Sequence, residues 1–350
     1  MLAFCRYSSE LVAQKNRLIL RQGSNNRSSI SGHVATVFGC SGFIGRYLVN
    51  RLGQQGTQVV TPYRGDSERV RHLKVMGDLG QIVQMQFDPR NLVNYEEAIA
   101  SSDTVYNLIG KNYDTKNFNL SEAHVDISKN IAKICAEHGT RLIQVSHIAA
   151  NPESPSRYLQ TKYESEVAVK EIYPDATIVR LSSVFGHEDR FIRRLSWLST
   201  DKFAPLPNKG NTIYRPVNVS DVATGLAELM KSEDIEGGFY EFHGPRALSY
   251  LKCMEMFNQT TLRDPYTLNM PKTMLQIFAE FVELLPFPWI SVDEVARLYI
   301  NETPVGENSL LKLVDTPLKD FELSMVEFAR RYRTHMDYGK AAPEHMNKRI

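Results

Sequence analysis

The stretch His33-Val-Ala-Thr-Val-Phe38-Gly39-Cys-Ser-Gly42-Phe-Ile-Gly45-Arg-Tyr-Leu-Val-Asn-Arg-Leu52 decides how this chain is read. It opens on a short run rich in valine and alanine. It closes on residues with helical spacing, ended by Gly53 and Gly56. The order is strand, glycine turn, helix. Gly39 permits a tight turn off the strand, Gly42 lets the backbone approach a pyrophosphate, and Gly45 lets helix and strand pack closely. The helix N-terminus then offers its N–H groups and positive dipole end to phosphate. Gly39, Ser41, Gly42, Phe43, Ile44 and Gly45 are therefore candidate phosphate-binding residues. A plain strand–turn–helix would use the same glycines, so the flanking sequence must discriminate.

Outward from the turn, Gln58–Tyr63 forms a second strand with Arg64 just past it. NAD-binding folds place a carboxylate near this point for the ribose 2′-OH. Here the next acid is Asp66. An arginine pairs instead with a 2′-phosphate, which favours NADP(H); the alternative is a solvated loop arginine. A third strand, Gln81–Phe87, leads into Asp88, and a helix follows through Tyr95, Ala98 and Ile99. Thr104–Leu108 is a fourth strand, carrying Asn107 and Leu108. Alternating strands and helices imply a doubly wound parallel sheet. Ligands bind beyond the carboxyl ends of such strands, where Gly39, Arg64, Asp88 and Asn107 all fall.

Composition sets the bounds. The chain has 350 residues, 41 Lys plus Arg, 40 Asp plus Glu and a formal charge of +1. That balance lacks the basic excess of a nucleic-acid binder. Apolar residues make up 42% and charged residues 23%, which excludes bulk disorder. No apolar run is long enough for a transmembrane helix. Cys5, Cys40, Cys135 and Cys253 lie far apart without a CxxC pair, which suits a reducing compartment and offers no zinc site. Residues 1–30 are basic and serine-rich with one acid, Glu10; Leu11, Val12, Leu18, Ile19 and Leu20 can form one apolar helical face. This segment reads as a mitochondrial transit peptide or a basic tail.

Gly39-x-x-Gly42-x-x-Gly45, Tyr63-Arg64, Phe87-Asp88-Pro-Arg-Asn91, Asp103-x-Val-x-Asn107, Tyr158-Leu-Gln-Thr-Lys162 and Arg215-Pro-Val-Asn-Val-Ser-Asp221 resemble the extended and atypical branch of the short-chain dehydrogenase/reductase superfamily. Phe38–Tyr47, Thr57–Gly65, Ser156–Lys162, Thr316-Pro-Leu318 and Arg330–Thr334 are similar to the family of 39-kDa accessory subunits of mitochondrial NADH:ubiquinone oxidoreductase, complex I. This second resemblance implies tightly held NADPH without turnover, other complex I subunits as partners, and the matrix side of the inner membrane. The first allows an alternative, a free mitochondrial NADP-dependent reductase or epimerase.

In working members of the superfamily a tyrosine is the general acid/base, and a lysine four residues later holds the nicotinamide ribose. Tyr158 and Lys162 have this spacing, which puts both on one helix face. A hydroxyl residue after the fifth strand, Arg141–Val145, completes the set. Here Ser146 is followed by His147 and Ile148, and the usual second hydroxyl is missing. If the chain is active, Ser146, Tyr158 and Lys162 carry the chemistry; otherwise Tyr158 and Lys162 only hold the nucleotide. His147 either donates to a substrate or caps the strand end.

The rest outlines a smaller C-terminal lobe. Thr177–Ser182 reads as a sixth strand, and Arg190, Arg193 and Arg194 as an anion site or a solvated helix face. Asn208–Thr212 reads as a hairpin-type turn, Ser220 as an N-cap, and Thr316-Pro317 as the start of a last helix striped by Phe321, Met325, Phe328 and Tyr332. The apolar stretch 274–290 is either lobe core or a docking surface for partner subunits or the membrane interface. The expected organisation is a 1–30 leader or tail, a Rossmann NADP-binding domain over 31–240 that lends about 183–200 to the lobe, a partner-docking lobe over 241–335, and a 336–350 tail.

Overall fold

A computed structural model describes residues 10–14, 17–21, 31–199, 202–232, 237–283, 290–333 and 339–340, the first two segments as backbone only. Most of the 1–30 leader, most of the 336–350 tail and positions 284–289 of the apolar stretch lie outside the described residues. The expected N-terminal helix is not what forms. Glu10–Gln14 and Arg17–Arg21 pair as antiparallel strands, with Glu10 opposite Arg21. Two short aliphatic runs separated by two residues are a hairpin pattern, and each run is too short for a stable helix.

Seven strands make the central sheet: β1 Val34–Phe38, β2 Gln58–Tyr63, β3 Ile82–Gln86, β4 Thr104–Asn107, β5 Arg141–His147, β6 Thr177–Leu181 and β7 Phe239–Phe242. Their order is β7-β6-β5-β4-β1-β2-β3. Pairing is parallel across β1–β2, β1–β4, β2–β3 and β4–β5. Helices α1 Phe43–Gln54, α2 Leu92–Ile99, α3 Ile127–His138 and α4 Arg157–Ile172 connect successive strands. Every residue of β1 is buried, as expected of a parallel strand covered on both faces. The strand order reverses at β1, which is the switch point where such sheets bind ligands. There β1 pairs with β2 only as far as Thr36 opposite Val60, yet follows β4 to Phe38 opposite Asn107. Pro62, which has no N–H to donate, lies beyond the last β1 pairing.

The chain divides into two compact units that interleave in sequence. The first comprises Met1–Val145, Glu164–Val179 and Ala223–Phe239; the second comprises Ser146–Tyr163, Arg180–Val222 and Tyr240–Ile350. The first unit is cored by β1, β4, α2 and α3, with Phe38, Phe87 and Tyr95 as its aromatic centre. The second is cored by α5 Phe191–Leu198, α7 Tyr250–Thr261 and the helix Phe321–Ala329, where Phe321 packs edge-on to Phe185 and Phe191, and Phe185 also meets Phe328. In chain order α6 Val219–Lys231 follows α5, and from Ala223 onward it belongs to the first unit. A smaller cluster joins α8 Lys272–Glu283 to α9 Val292–Arg297 through Leu275, Ala279, Val282 and Val295.

Three local expectations are corrected. Asn208–Gly210 is a 3-10 turn and not a hairpin, because the flanking strands pair elsewhere: 203–207 with 266–270, and 213–214 with 248–249. Asn218, not Ser220, caps α6; its Oδ1 accepts the Ser220 N–H at 2.8 Å. Thr316-Pro317 does not open the last helix, which begins at Phe321. The Lys319 N–H is taken by Asp221 Oδ2 at 2.8 Å, and that bond holds the preceding segment out of the helix.

Candidate functional site

The glycine turn leaves no room for side chains. Gly39 has a φ of +83°, and a Cβ there would meet the Leu108 carbonyl carbon at 2.9 Å. A Cβ on Gly45 would lie 2.3 Å from the Gly39 carbonyl oxygen and 2.8 Å from Cys40 Cα. Gly42 is the N-cap of α1, and among the described residues no side chain caps that helix. Its first turn carries no acid. The result is a backbone cradle under an uncapped positive helix end, which fits a pyrophosphate. Cys40, inside the turn, is buried; its Sγ donates to the Pro62 carbonyl at 3.3 Å, and burial pushes the thiol up to about 12, so it takes no part as a thiolate.

Arg64 and Asp88 sit on one groove of about 380 Å³, which Arg90, Asn117 and Phe118 complete. The Arg64 guanidinium lies 5.4 Å from the Phe118 ring centre and that of Arg90 lies 5.1 Å away. Two cations therefore share one aromatic ring at the ends of β2 and β3. Arg90 and Phe118 were not legible as site residues in the sequence. The signal for Arg90 was its place in the Asp88 turn, where its N–H donates to Asp88 Oδ1 at 3.0 Å; Phe118 carried none. The turn itself is pinned by Tyr95, whose hydroxyl donates to the Pro89 carbonyl at 2.8 Å.

Asn107 is placed differently. Its side-chain amide donates to Ser128 Oγ at 2.9 Å and Gln144 Oε1 at 2.8 Å, and its Oδ1 accepts the Ile109 N–H at 3.1 Å. The side chain ties β4 to β5 and α3 inside the first unit, and its partners hold the turn through Leu108 in shape.

The second unit carries Ser146, His147, Tyr158 and Lys162. Ser146 lies inside β5, which runs two residues further than expected, and its buried Oγ has no hydrogen-bond partner among the described residues. His147 takes the structural role: its Nδ1 accepts the Ala149 N–H at 3.1 Å. Burial, then Arg297, Lys162, Arg180 and Arg194, lower its pKa to about 3, so it is neutral. Lys162 is buried. Tyr158 is half-buried, edge-on to His147 at 6.1 Å between ring centres. Arg297 from α9 stacks 4.4 Å from the centre of its ring. Asp293, also on α9, accepts Ser156 Oγ at 3.0 Å and pairs with Arg297 at 3.4 Å. Burial raises the Tyr158 pKa; Arg297 and Arg190 pull it down less, and Asp293 adds to the rise. A general-base tyrosine needs the opposite shift. Arg190 and Arg194 both pair with Glu294, while exposed Arg193 stacks on Trp197 at 5.2 Å.

This sheet order with a glycine cradle at its switch point defines a class of nucleotide-binding proteins, and the model of the NAD dependent epimerase/dehydratase family matches residues 35–238. The chain is 38% identical over 346 residues to "NADH dehydrogenase (ubiquinone) 1 alpha subcomplex subunit 9, mitochondrial" of Arabidopsis thaliana, covering 94% of this chain and 85% of that one. It is 36% identical to the "NADH-ubiquinone oxidoreductase 40 kDa subunit, mitochondrial" of Neurospora crassa, over 92% of this chain and 84% of the other. Among solved structures, a nucleoside-diphosphate-sugar epimerase from Staphylococcus aureus superposes with a TM-score of 0.68 at 15% identity, covering 84% of this chain and 99% of that one; this likeness is one of fold. The chain belongs to the NAD dependent epimerase/dehydratase family, and within it to the branch of these mitochondrial NADH dehydrogenase (ubiquinone) subunits.

Proposed function

We propose that this protein is an accessory subunit of mitochondrial respiratory complex I, on the matrix side of the inner membrane, and that it holds NADP(H) as a stabilising ligand without turning it over. The observation that carries the assembly reading is similarity to complex I subunits along nearly the whole chain, lobe included. Gly39, Ser41, Gly42, Phe43, Ile44 and Gly45 would cradle the pyrophosphate, with Asn107 and Leu108 shaping the turn beside it. Arg64, helped by Arg90, would take the 2′-phosphate next to Asp88, and Tyr158 with Lys162 would hold the nicotinamide ribose. Bound NADP(H) supplies hydride chemistry in enzymes; here Arg297 on Tyr158 and the raised Tyr158 pKa support a site that only binds.

Met274, Ile277, Phe278 and Phe281 leave an apolar side of α8 exposed. This exposed side, opposite the core residues Leu275, Ala279 and Val282, is the surface we assign to the membrane interface and neighbouring subunits. Solubilising mitochondrial membranes in mild detergent and resolving them on a native gel tests the proposal. The chain should migrate in the complex I band; recovery only as a free soluble protein would favour the reductase or epimerase alternative.

A further inference from the structure

A small polar cavity of about 90 Å³ lies within the second unit, lined chiefly by His147, Ser183, Arg194, Tyr214, Arg297 and Glu302. That is room for about three waters, or for one molecule of four to six non-hydrogen atoms. Glu302 forms its floor, buried and fully engaged: Ser183 Oγ donates to it at 2.6 Å, the Ser183 N–H at 3.1 Å and the Arg215 N–H at 3.2 Å. The walls differ. Tyr214 is 3% exposed, yet among the described residues neither its Oη nor Arg194 Nε has a hydrogen-bond partner. Leaving such buried groups unmatched is costly, so native structures satisfy nearly all of them with protein, water or a ligand. Arg194 and Arg297 bring two guanidinium groups to the lining, the first also pairing with Glu294 at 3.6 Å and the second with Asp293 at 3.4 Å, beside a His147 kept neutral first by burial and then by Arg297, Lys162, Arg180 and Arg194.

We propose that this cavity is a binding site for a small monocarboxylate, held by Arg194, Arg297 and the Tyr214 hydroxyl. A planar carboxylate matches the fork of a guanidinium. A phosphate of the same size brings a second negative charge toward the Glu302 carboxylate, and the site should discriminate against it. None of the six lining residues named here is itself assigned to NADP(H), although Arg297 stacks on the ring of Tyr158, which is; acetate binding by the nucleotide-free chain therefore tests the cavity apart from that assignment.

The test titrates acetate, and separately inorganic phosphate, into the purified full chain at constant ionic strength made up with chloride, reading thermal unfolding. Acetate should raise the unfolding temperature saturably, and phosphate should do so at much higher concentration or not at all. Tyr214→Phe removes one hydroxyl from a well-packed ring and should weaken acetate about tenfold, the loss of one hydrogen bond to a charged group. A crystal structure grown in acetate should show the carboxylate against Arg194 and Tyr214. A non-saturable response, an unchanged midpoint in Tyr214→Phe, or only water in the cavity would each overturn the proposal.

Discussion

Replacing Gly45 with alanine sets two local effects against each other. Alanine is the better helix former, by about 1 kcal/mol at an interior position. On propensity alone Gly45→Ala would stabilise α1. The tertiary geometry reverses the sign. The new methyl would stand 2.3 Å from the Gly39 carbonyl oxygen and 2.8 Å from Cys40 Cα, where ordinary contact begins near 3.4 Å. Both obstacles are backbone, so α1 must retreat by roughly 1 Å. That retreat loosens Leu48, Val49 and Leu52, all fully buried. Overpacking of a filled core costs about 1–3 kcal/mol, and more where backbone must move. Net of the helix-propensity gain, the expectation is a loss of about 1–3 kcal/mol, roughly 2–12 °C in a domain of this size. The same shift spoils the phosphate cradle, so the variant should also lose most of the rise in unfolding temperature that excess NADPH gives the wild type. The assay is thermal unfolding of both proteins with and without NADPH. If Gly45→Ala unfolds at or above the wild-type temperature and keeps its NADPH response, the close approach of α1 to the turn is not what holds this site.

Arg64→Glu should weaken NADPH by about 1.5–3 kcal/mol while barely changing NADH, measured by equilibrium binding; equal wild-type affinities for the two nucleotides would refute the assignment. Tyr158→Phe should keep bound NADPH and the assembled complex at wild-type levels. A variant that binds and assembles normally but fails to support respiratory growth would speak for catalysis. For pH, His147 titrates at about 3 folded against 6.5 unfolded, so stability falls as pH drops below about 6.5. Asp189, pushed up by burial from 3.8 to about 7, works the other way: stability falls as pH rises from about 4 to 7. Each slope is about 1.4 kcal/mol per pH unit, and the two offset between about pH 4 and 6.5. Denaturant midpoints across that range should rise toward acid in His147→Gln and fall toward acid in Asp189→Asn; parallel profiles for both variants and the wild type would exclude these two groups.

The strand–turn–helix, the parallel sheet and the strand-end positions of Arg64 and Asp88 were legible in the sequence. They rest on local period, glycine placement and alternation of elements, which neighbouring residues impose on one another. Local patterns misled where a distant partner decides. Thr316-Pro317 has the chemistry of a helix start, but Asp221 claims the Lys319 N–H and delays the helix. Asn208–Thr212 has turn chemistry, but its flanking strands find partners far along the chain. The site divides in the same way. The sequence named Tyr158 and Lys162 from their spacing, but it could not place Arg297 over the Tyr158 ring, two arginines near Phe118, or Glu302 in the lining of a small polar cavity. Those contacts join residues far apart in the chain, and only the packed fold brings them within reach.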